Sequence, residues 1–542
     1  MANSKPKRTL ADEVEDKSVF SSSESLHLYS NLQGDDSGGR RILIYSHSFP
    51  PWVDGVSTRF KSHLRLLKEA GHQCHVITIE EDLCKDVRAS CASVTTVDAT
   101  CLYWYPAKRF PDLTLRNLAR IWAACVESKA QVLHVTMCPS LPLFFICARA
   151  LNIPLMISVH TDTVTLLDKC QQPAWCISAV KCLEPLGTWF ADGTYTVSPS
   201  YSAILRQRGI RCLDVTWGGY ANPDVFHPGR RGEGQEALGG WREVLSFGNP
   251  NDFILITAGR VSPEKDIGFL VEMVRRARAL GKKVRLAIIG DGPAASEFVD
   301  LHGLESSGVW FVPRFLNQRE LAQVYASVDC VCSASTFETF GFTSLEAMAC
   351  GTPFLGPRAQ GFRDVVQHNK GGYLFDARDL TSATHYLEIL LNEREELFPP
   401  DQVLASTADF TAAACMQRTL LAYTQTQLKR EVRTMAWGCS RANASSQSSS
   451  SGPVESYFSW GAAGGGHSVQ RALLCCLRTV PAFLMVVFMI VNWCLLNAPL
   501  LACACHRTLL RLRRTCGATW DRRMRFTNLT RNRVLVGSQV TS

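Results

Sequence analysis

Two carboxylates eight positions apart, Glu338 and Glu346, flank a glycine in the stretch Ser335-Thr-Phe-Glu338-Thr-Phe-Gly341-Phe342-Thr343-Ser-Leu-Glu346-Ala-Met-Ala-Cys-Gly351-Thr-Pro353. The apolar run Val328 to Cys332 leads into it, and Gly351 with Pro353 stops the short helix in which it ends. A loop that turns into a helix at Gly341 points backbone N–H groups at an anion, and the helix dipole favours one there. Carboxylates beside such a site make electrostatic sense when they accept hydrogen bonds from hydroxyls of the same ligand. A sugar nucleotide offers both groups: a diphosphate for the amides, ribose and hexose hydroxyls for Glu338 and Glu346. Taken alone, the pair reads equally well as two solvated glutamates on an ordinary amphipathic helix.

Arg260 and Lys265 follow the strand-like run Phe253 to Ala258. Both could reach a diphosphate, arginine by a bidentate contact and lysine as a point charge. His160 comes directly after Leu155 to Val159, with Thr161-Asp162 behind it. Each has a plainer reading, as solvated bases ahead of a helix and as a structural histidine. Their shared place at carboxyl ends of strands, where open α/β sheets bind ligands, favours the functional one.

The elements that would position these residues are legible as short apolar runs. Ile42 to His47, Cys74 to Ile79, Val132 to Thr136, Leu155 to Val159 and Gly193 to Val197 alternate with helical stretches. A second series comprises Phe253 to Ala258, Val284 to Ile289 (followed by Gly290-Asp-Gly-Pro293), Val309 to Val312, Val328 to Cys332, Phe354-Leu355 and Gly371 to Phe375. Such alternation predicts parallel βαβ units, hence an α/β chain of two tandem doubly wound, Rossmann-like domains. Their spans are 41–217 and 253–400, with a Gly-, Pro- and charge-rich connector over 218–252 and a closing helix over 401–435. The ligand belongs in the cleft between them. No G-x-G-x-x-G follows the first strand, so a dinucleotide-dependent dehydrogenase gains little support.

The 542 residues, 46% hydrophobic and 20% charged, suit a globular protein of two or three domains with an added membrane segment. The net charge of +8 invites a nucleic-acid reading until it is located: nine arginines lie between Arg507 and Arg533, in a tail. No nucleic-acid-binding motif accompanies them, so nucleic acid is not an expected partner. The 22 cysteines form no C-x-x-C pair and read as reduced, buried apolar residues, and no metal site is expected. Residues 1–40 read as a disordered leader; they lack an apolar signal-peptide run, and Asp12, Glu13, Glu15 and Asp16 argue against an organelle transit peptide.

In their order, these motifs resemble glycosyltransferase family 4, retaining and metal-independent enzymes of the two-domain GT-B fold. The resemblance runs from about Arg41 to about Lys429 and rests on Glu338 to Glu346 as the family's E-x7-E pattern, with Ala347 to Pro353 after it. Arg260 with Lys265, Gly290 to Pro293 and the loop near Gly361 fall in the expected sequence. The resemblance implies that Glu338 touches the donor hexose and Glu346 the ribose, that Arg260 and Lys265 hold the diphosphate, and that His160 lies near the anomeric carbon. The amides around Gly341, Phe342 and Thr343, the turn at Gly55 and the turn at Gly290 would complete the donor site. Two departures are Asp54, where the family has a first Gly of a Gly-Gly turn, and Gln360 before Gly361. An acid near a phosphate is unfavourable, so Asp54 either faces the acceptor or points away. Val53 to Arg59 and Trp217 to Pro228 are most similar to sulfoquinovosyltransferases and bacterial lipid mannosyltransferases.

A Ser- and Gly-rich linker over 436–470 precedes Thr479 to Cys505, 27 uncharged residues within 471–507, long enough for a bilayer core of roughly 30 Å. The Arg-rich tail, 508–542, predicts a cytosolic end by the positive-inside rule, which with a single span would put the catalytic domains in a lumen. Two arrangements stay open: a re-entrant segment bent at Pro499, or a tail translocated despite its charge. The expectation is a membrane-bound glycosyltransferase with its catalytic domains facing the cytosol, or at a plastid envelope or thylakoid for a sulfolipid acceptor. It would move a hexose, or a modified hexose, from a UDP- or GDP-linked sugar to a diacylglycerol-type lipid, the tail arginines meeting anionic headgroups. No cofactor beyond that co-substrate is implied. The rivals are a non-catalytic binding or scaffold protein of the same fold and a soluble-acceptor enzyme such as a sugar-phosphate synthase.

Overall fold

The computed structural model describes residues 39–446, apart from 53, 103–104, 170, 213–217, 234–239, 247–248, 250 and 304–306. Two six-stranded parallel sheets dominate. The first is ordered β3-β2-β1-β6-β7-β8, built from β1 (Arg41–Tyr45), β2 (Gln73–Thr78), β3 (Ser93–Thr96), β6 (Val132–Thr136), β7 (Leu155–Val159) and β8 (Gly193–Thr196). The second repeats that order as β11-β10-β9-β12-β13-β14, from β9 (Phe253–Ala258), β10 (Val284–Ile289), β11 (Val309–Val312), β12 (Cys330–Cys332), β13 (Phe354–Pro357) and β14 (Gly372–Phe375). Central strands such as β6, β7 and β10 are buried along their whole length, as expected of strands covered by helices on both faces.

The strand order reverses between β1 and β6 and again between β9 and β12, and these switch points are where an open α/β sheet leaves a crevice. In the second domain the switch brings the loop after β9, with Arg260 and Lys265, beside the loop after β12, with Glu338. The two loops are 73 residues apart in sequence and adjacent in space.

The apolar runs mark the strands, with three additions. β3 is the edge of the first sheet, and its Ser-Val-Thr-Thr sequence carries too little apolar character to announce itself. An antiparallel pair, β4 (Ala99–Leu102) and β5 (Tyr105–Pro111), projects after it. The stretch 218–252 carries two short helices, Arg230–Glu233 and Gly240–Leu245, the second tied to the second domain by Arg242 to Asp329 at 3.0 Å.

The last helix, Ala412–Ser446, leaves the second domain and returns to the first, and it runs on into the stretch read as a Ser/Gly-rich linker. Its Ala422 and Tyr423 are fully buried against the face made by Ile42, Ile44, Val132 and Met156. Tyr195 donates to the Ala422 carbonyl at 2.5 Å, and Arg433 reaches Asp192 at 3.0 Å. Among the described residues no helix is long and apolar enough to cross a membrane. The expected membrane segment at 479–505, the Arg-rich tail and the leader up to residue 38 lie outside the described residues.

Candidate active site

The helix Phe342–Ala349 forms because Gly341 turns the chain into it with φ +97° and because Ser344 to Ala349 are all buried. A side chain at 341 would also meet the Phe362 ring at 2.9 Å, so both backbone and space require glycine here. Gly351, with φ +77°, ends the helix. Glu346 lies on this helix with only 8% of its surface exposed. Burial pushes its carboxyl up to about 8, so in the unliganded protein it is largely protonated at neutral pH. Beside it lies Tyr325, also buried and engaged by the Thr343 hydroxyl.

Lys265 closes the 3-10 turn Pro263–Lys265 and extends its Nζ to Glu338 Oε2 at 2.8 Å. Burial disfavours its charge, yet the facing Glu338 carboxylate, with Glu264 behind, outweighs burial and holds the ammonium above its ordinary range. Glu264 is oriented by Ser262, which donates to it at 2.6 Å, and its carbonyl accepts from Ser335 at 3.3 Å. Arg260 is partly exposed on the same loop, directly after Gly259. Lys265 and Arg260 thus share one loop, with Lys265 fixed on a carboxylate of the loop that leads into the helix Phe342–Ala349.

The first domain faces this loop across close contacts. Thr339 donates to the His160 carbonyl at 2.7 Å, and Ser198 donates to the Thr339 carbonyl at 2.7 Å. Asp364 accepts from the Ser200 amide and hydroxyl at 2.9 and 2.8 Å. His160 is 7% exposed, and its Nε2 lies 2.9 Å from Ser158 Oγ. Burial first, then the positive field of Arg59, lowers its pKa well below the ordinary imidazole range, so the ring is neutral.

Asp54 caps the helix Gly55–Glu69, accepting from the Ser57 amide and from the Ser48 hydroxyl, both at 2.8 Å. Capping gives the acid a structural use that glycine lacks, and its charge is spent on that helix end. Gly55 lies opposite Phe342, whose ring a side chain at 55 would meet at 3.8 Å. Gly290 is accounted for by packing: its φ is +140° and a side chain there would fall 1.8 Å from the Gly259 carbonyl oxygen. It lets the loop that carries Arg260 run against the loop after β10.

Arg59, on that same helix, is a site neighbour that residue types do not reveal. It is 6% exposed, and its guanidinium lies 4.9 and 5.0 Å from the Phe340 and Phe342 ring centres, across the domain boundary. Burial lowers its pKa to about 10, which leaves it charged at neutral pH. On a helix, a buried arginine has the same sequence appearance as a solvated one.

Two parallel α/β domains in tandem, each with a crevice at its switch point, have the architecture of a GT-B glycosyltransferase. The glycosyl transferase 4-like domain profile matches residues 54–216, and the profile for glycosyl transferases group 1 matches residues 245–398. The chain belongs to glycosyltransferase family 4. It is 28% identical over 364 residues to sulfoquinovosyl transferase SQD2 of Arabidopsis thaliana, covering 66% of this chain and 68% of that one. A GDP-mannose-dependent alpha-mannosyltransferase of Mycobacterium tuberculosis is 28% identical over 345 residues, covering 62% and 84%. Among solved structures, Anabaena HepE in complex with UDP and glucose superposes with a TM-score of 0.55 at 17% identity, over 70% of this chain and 98% of that one. Sucrose-phosphate synthase from Thermosynechococcus elongatus does so with 0.51 at 18%, over 73% and 100%. These likenesses show the fold.

Proposed function

We propose that this glycosyltransferase moves a hexose, or a modified hexose, from a nucleotide sugar to a membrane lipid with retention at the anomeric carbon. The observation that carries the donor half is the pairing of Lys265 with Glu338 at the second domain's switch point, with Glu346 buried on the helix that follows that loop. Lys265 and Arg260 hold the diphosphate, with the first amides of the helix Phe342–Ala349. Glu338 is pulled from Lys265 toward a hexose hydroxyl as the phosphate takes the lysine. Glu346 accepts from the ribose, whose hydroxyls favour its ionised form where burial alone disfavours it. The rim at His160, with its neutral ring, meets the sugar.

Breaking the bond between the anomeric carbon and the phosphate oxygen sends its electron pair to the diphosphate and leaves positive charge on the sugar ring. Fixed cations stabilise the first charge without reorganisation. The acceptor hydroxyl adds to the anomeric carbon from the face the phosphate leaves, and its proton passes to the departing phosphate oxygen. Retention and independence of a metal ion are part of this proposal, as is the UDP or GDP carrier.

The lipid acceptor is supported by the similarity to SQD2 and by the uncharged run at 479–505. On this reading the catalytic domains face the cytosol and the tail arginines meet anionic lipid; a plastid membrane follows if the acceptor is of the sulfolipid type. The test is incubation of the full chain with labelled nucleotide sugars and diacylglycerol-containing vesicles. Label entering the lipid phase with an axial anomeric linkage from an axial donor supports the proposal. Label appearing only in water-soluble product points to a soluble acceptor, and an inverted linkage removes the retaining mechanism.

A further inference from the structure

A line of hydrogen bonds crosses the interior of the first domain. His63 Nε2 lies 3.0 Å from the Tyr423 hydroxyl, and that hydroxyl lies 3.0 Å from His134 Nδ1. His134 Nε2 is 2.8 Å from Ser158 Oγ, which is 2.9 Å from His160 Nε2. All five side chains are buried: His63 at 3%, Tyr423 and His134 at 0%, Ser158 at 1% and His160 at 7% exposure. They come from four separate elements, namely the helix Gly55–Glu69, the strands β6 and β7 with the turn after β7, and the returning helix Ala412–Ser446.

Burial lowers the pKa of all three histidines, His134 to about 3, so each ring is neutral and carries one N–H. A hydroxyl donates one hydrogen and accepts others, and a neutral imidazole donates from one nitrogen and accepts at the other. When each buried hydroxyl also spends its own hydrogen within the line, only two arrangements keep every contact a hydrogen bond. In one, His63 donates to Tyr423, Tyr423 to His134, His134 to Ser158 and Ser158 to His160 Nε2, which leaves the proton of His160 on Nδ1. In the other every bond reverses, and the proton of His160 sits on Nε2. The tautomer of the ring at the cleft is thus tied to the direction of one hydroxyl on the final helix.

We infer that Tyr423 and Ser158 are positioning residues, which through His134 set the tautomer and orientation of His160 and so couple docking of the final helix to the sugar side of the donor site. The step from tautomer to function rests on the donor-site reading of His160; the relay itself does not. The tautomer of a ring is set by the hydrogen bond at its other nitrogen, and a ring in the wrong tautomer cannot present the proton or lone pair its ligand needs. A residue with no contact to the ligand then acts on it along the sheet face that the final helix covers.

The test is long-range proton–nitrogen correlation of the imidazoles in the full chain carrying nitrogen-15 histidine, with His63→Gln, His134→Gln and His160→Gln used for assignment. In the wild type the three rings should each show one neutral tautomer. Tyr423→Phe removes one oxygen from a packed ring, and it should redistribute the tautomers of His160 as well as those of His63 and His134. Ser158→Ala should redistribute His160 and His134 and, through Tyr423, His63. If Tyr423→Phe alters its two neighbours and leaves His160 as in wild type, or if Ser158→Ala leaves His160 or His63 unchanged, the relay is overturned. Should circular dichroism show Tyr423→Phe unfolded, Ser158→Ala decides alone: a change that reaches His63 supports the relay, and a His63 as in wild type overturns it. Adding UDP and then GDP to the wild type reads the donor site separately. Absence of any nucleotide-induced shift counts against that reading without touching the relay.

Discussion

The two domains share one strand order, yet the ends of their strands are furnished in opposite ways. At the switch point of the second sheet the side chains are charged and within reach of the cleft: Arg260, Lys265 and Glu338, with Lys265 Nζ 2.8 Å from Glu338. At the corresponding end of the first sheet His134 and His160 are buried and neutral, Asp162 is buried and paired with Arg208, and Arg59 is packed against two phenylalanine rings from the other domain. On the function proposed above, the same scaffold then offers a polyanion site on one side and a wall of buried, hydrogen-bonded side chains on the other. That asymmetry suits transfer from a charged donor to an acceptor that carries little charge at its reacting hydroxyl, and it lives in the loops while the sheets stay alike.

The largest break in this asymmetry comes from Lys265→Ala. Removing a fixed cation from the site where charge develops should cut the transfer rate by about 10²- to 10³-fold, read as label transferred per unit time. Next is Glu346→Gln, which keeps shape and burial but removes the ionised acceptor. It should weaken nucleotide binding by about 1.5–3 kcal/mol, measured by calorimetry. The same variant has a stability signature. Wild-type Glu346 keeps its proton up to about 8, whereas in the unfolded chain it releases it near 4.5. Between those values the native state binds the extra proton, so this group's contribution to stability falls as pH rises. Glu346→Gln should therefore gain on wild type between pH 6 and pH 8, with the melting temperatures diverging in its favour. Equal differences at both pH values would show that the carboxyl is not held protonated.

Smaller effects sharpen the contrast at the domain boundary. A side chain at Gly219 would lie 2.8 Å from Phe340 and 2.9 Å from Phe342. Gly219→Ala should cost about 1–3 kcal/mol by overpacking, seen in denaturant unfolding, and displace the loop that carries Glu338. Asp364→Ala removes two hydrogen bonds to Ser200 and should cost only about 1 kcal/mol, while loosening the cleft enough to raise the radius of gyration in solution scattering.

Much of this arrangement is legible in the residues alone, for reasons that can be named. Runs such as Leu155 to Val159 and Val284 to Ile289 read as strands because both faces of a parallel sheet are covered, and Gly351 with Pro353 marks a helix end by backbone chemistry. Glu338, Glu346, Arg260 and Lys265 stand out by type and spacing, but the contact of Lys265 with Glu338 follows only once β9 and β12 are neighbours. Three features stay hidden. β3 is short and polar because it is an edge strand with little to bury. Arg59 looks like any helical arginine until Phe340 and Phe342 arrive from the other domain. His63 and Tyr423 are 360 positions apart, and no local pattern joins residues brought together by a helix that returns from the second domain.

The central claim, a nucleotide sugar held at the second domain's switch point, is tested most directly by thermal unfolding of the full chain with UDP, GDP, ADP and their sugars, beside Lys265→Ala and Glu346→Ala. One nucleotide at about 100 times its dissociation constant should stabilise the wild type by about 2.7 kcal/mol, and the shift should vanish in both variants. No shift with any nucleotide in a folded chain, or a shift that survives in both variants, would contradict the account.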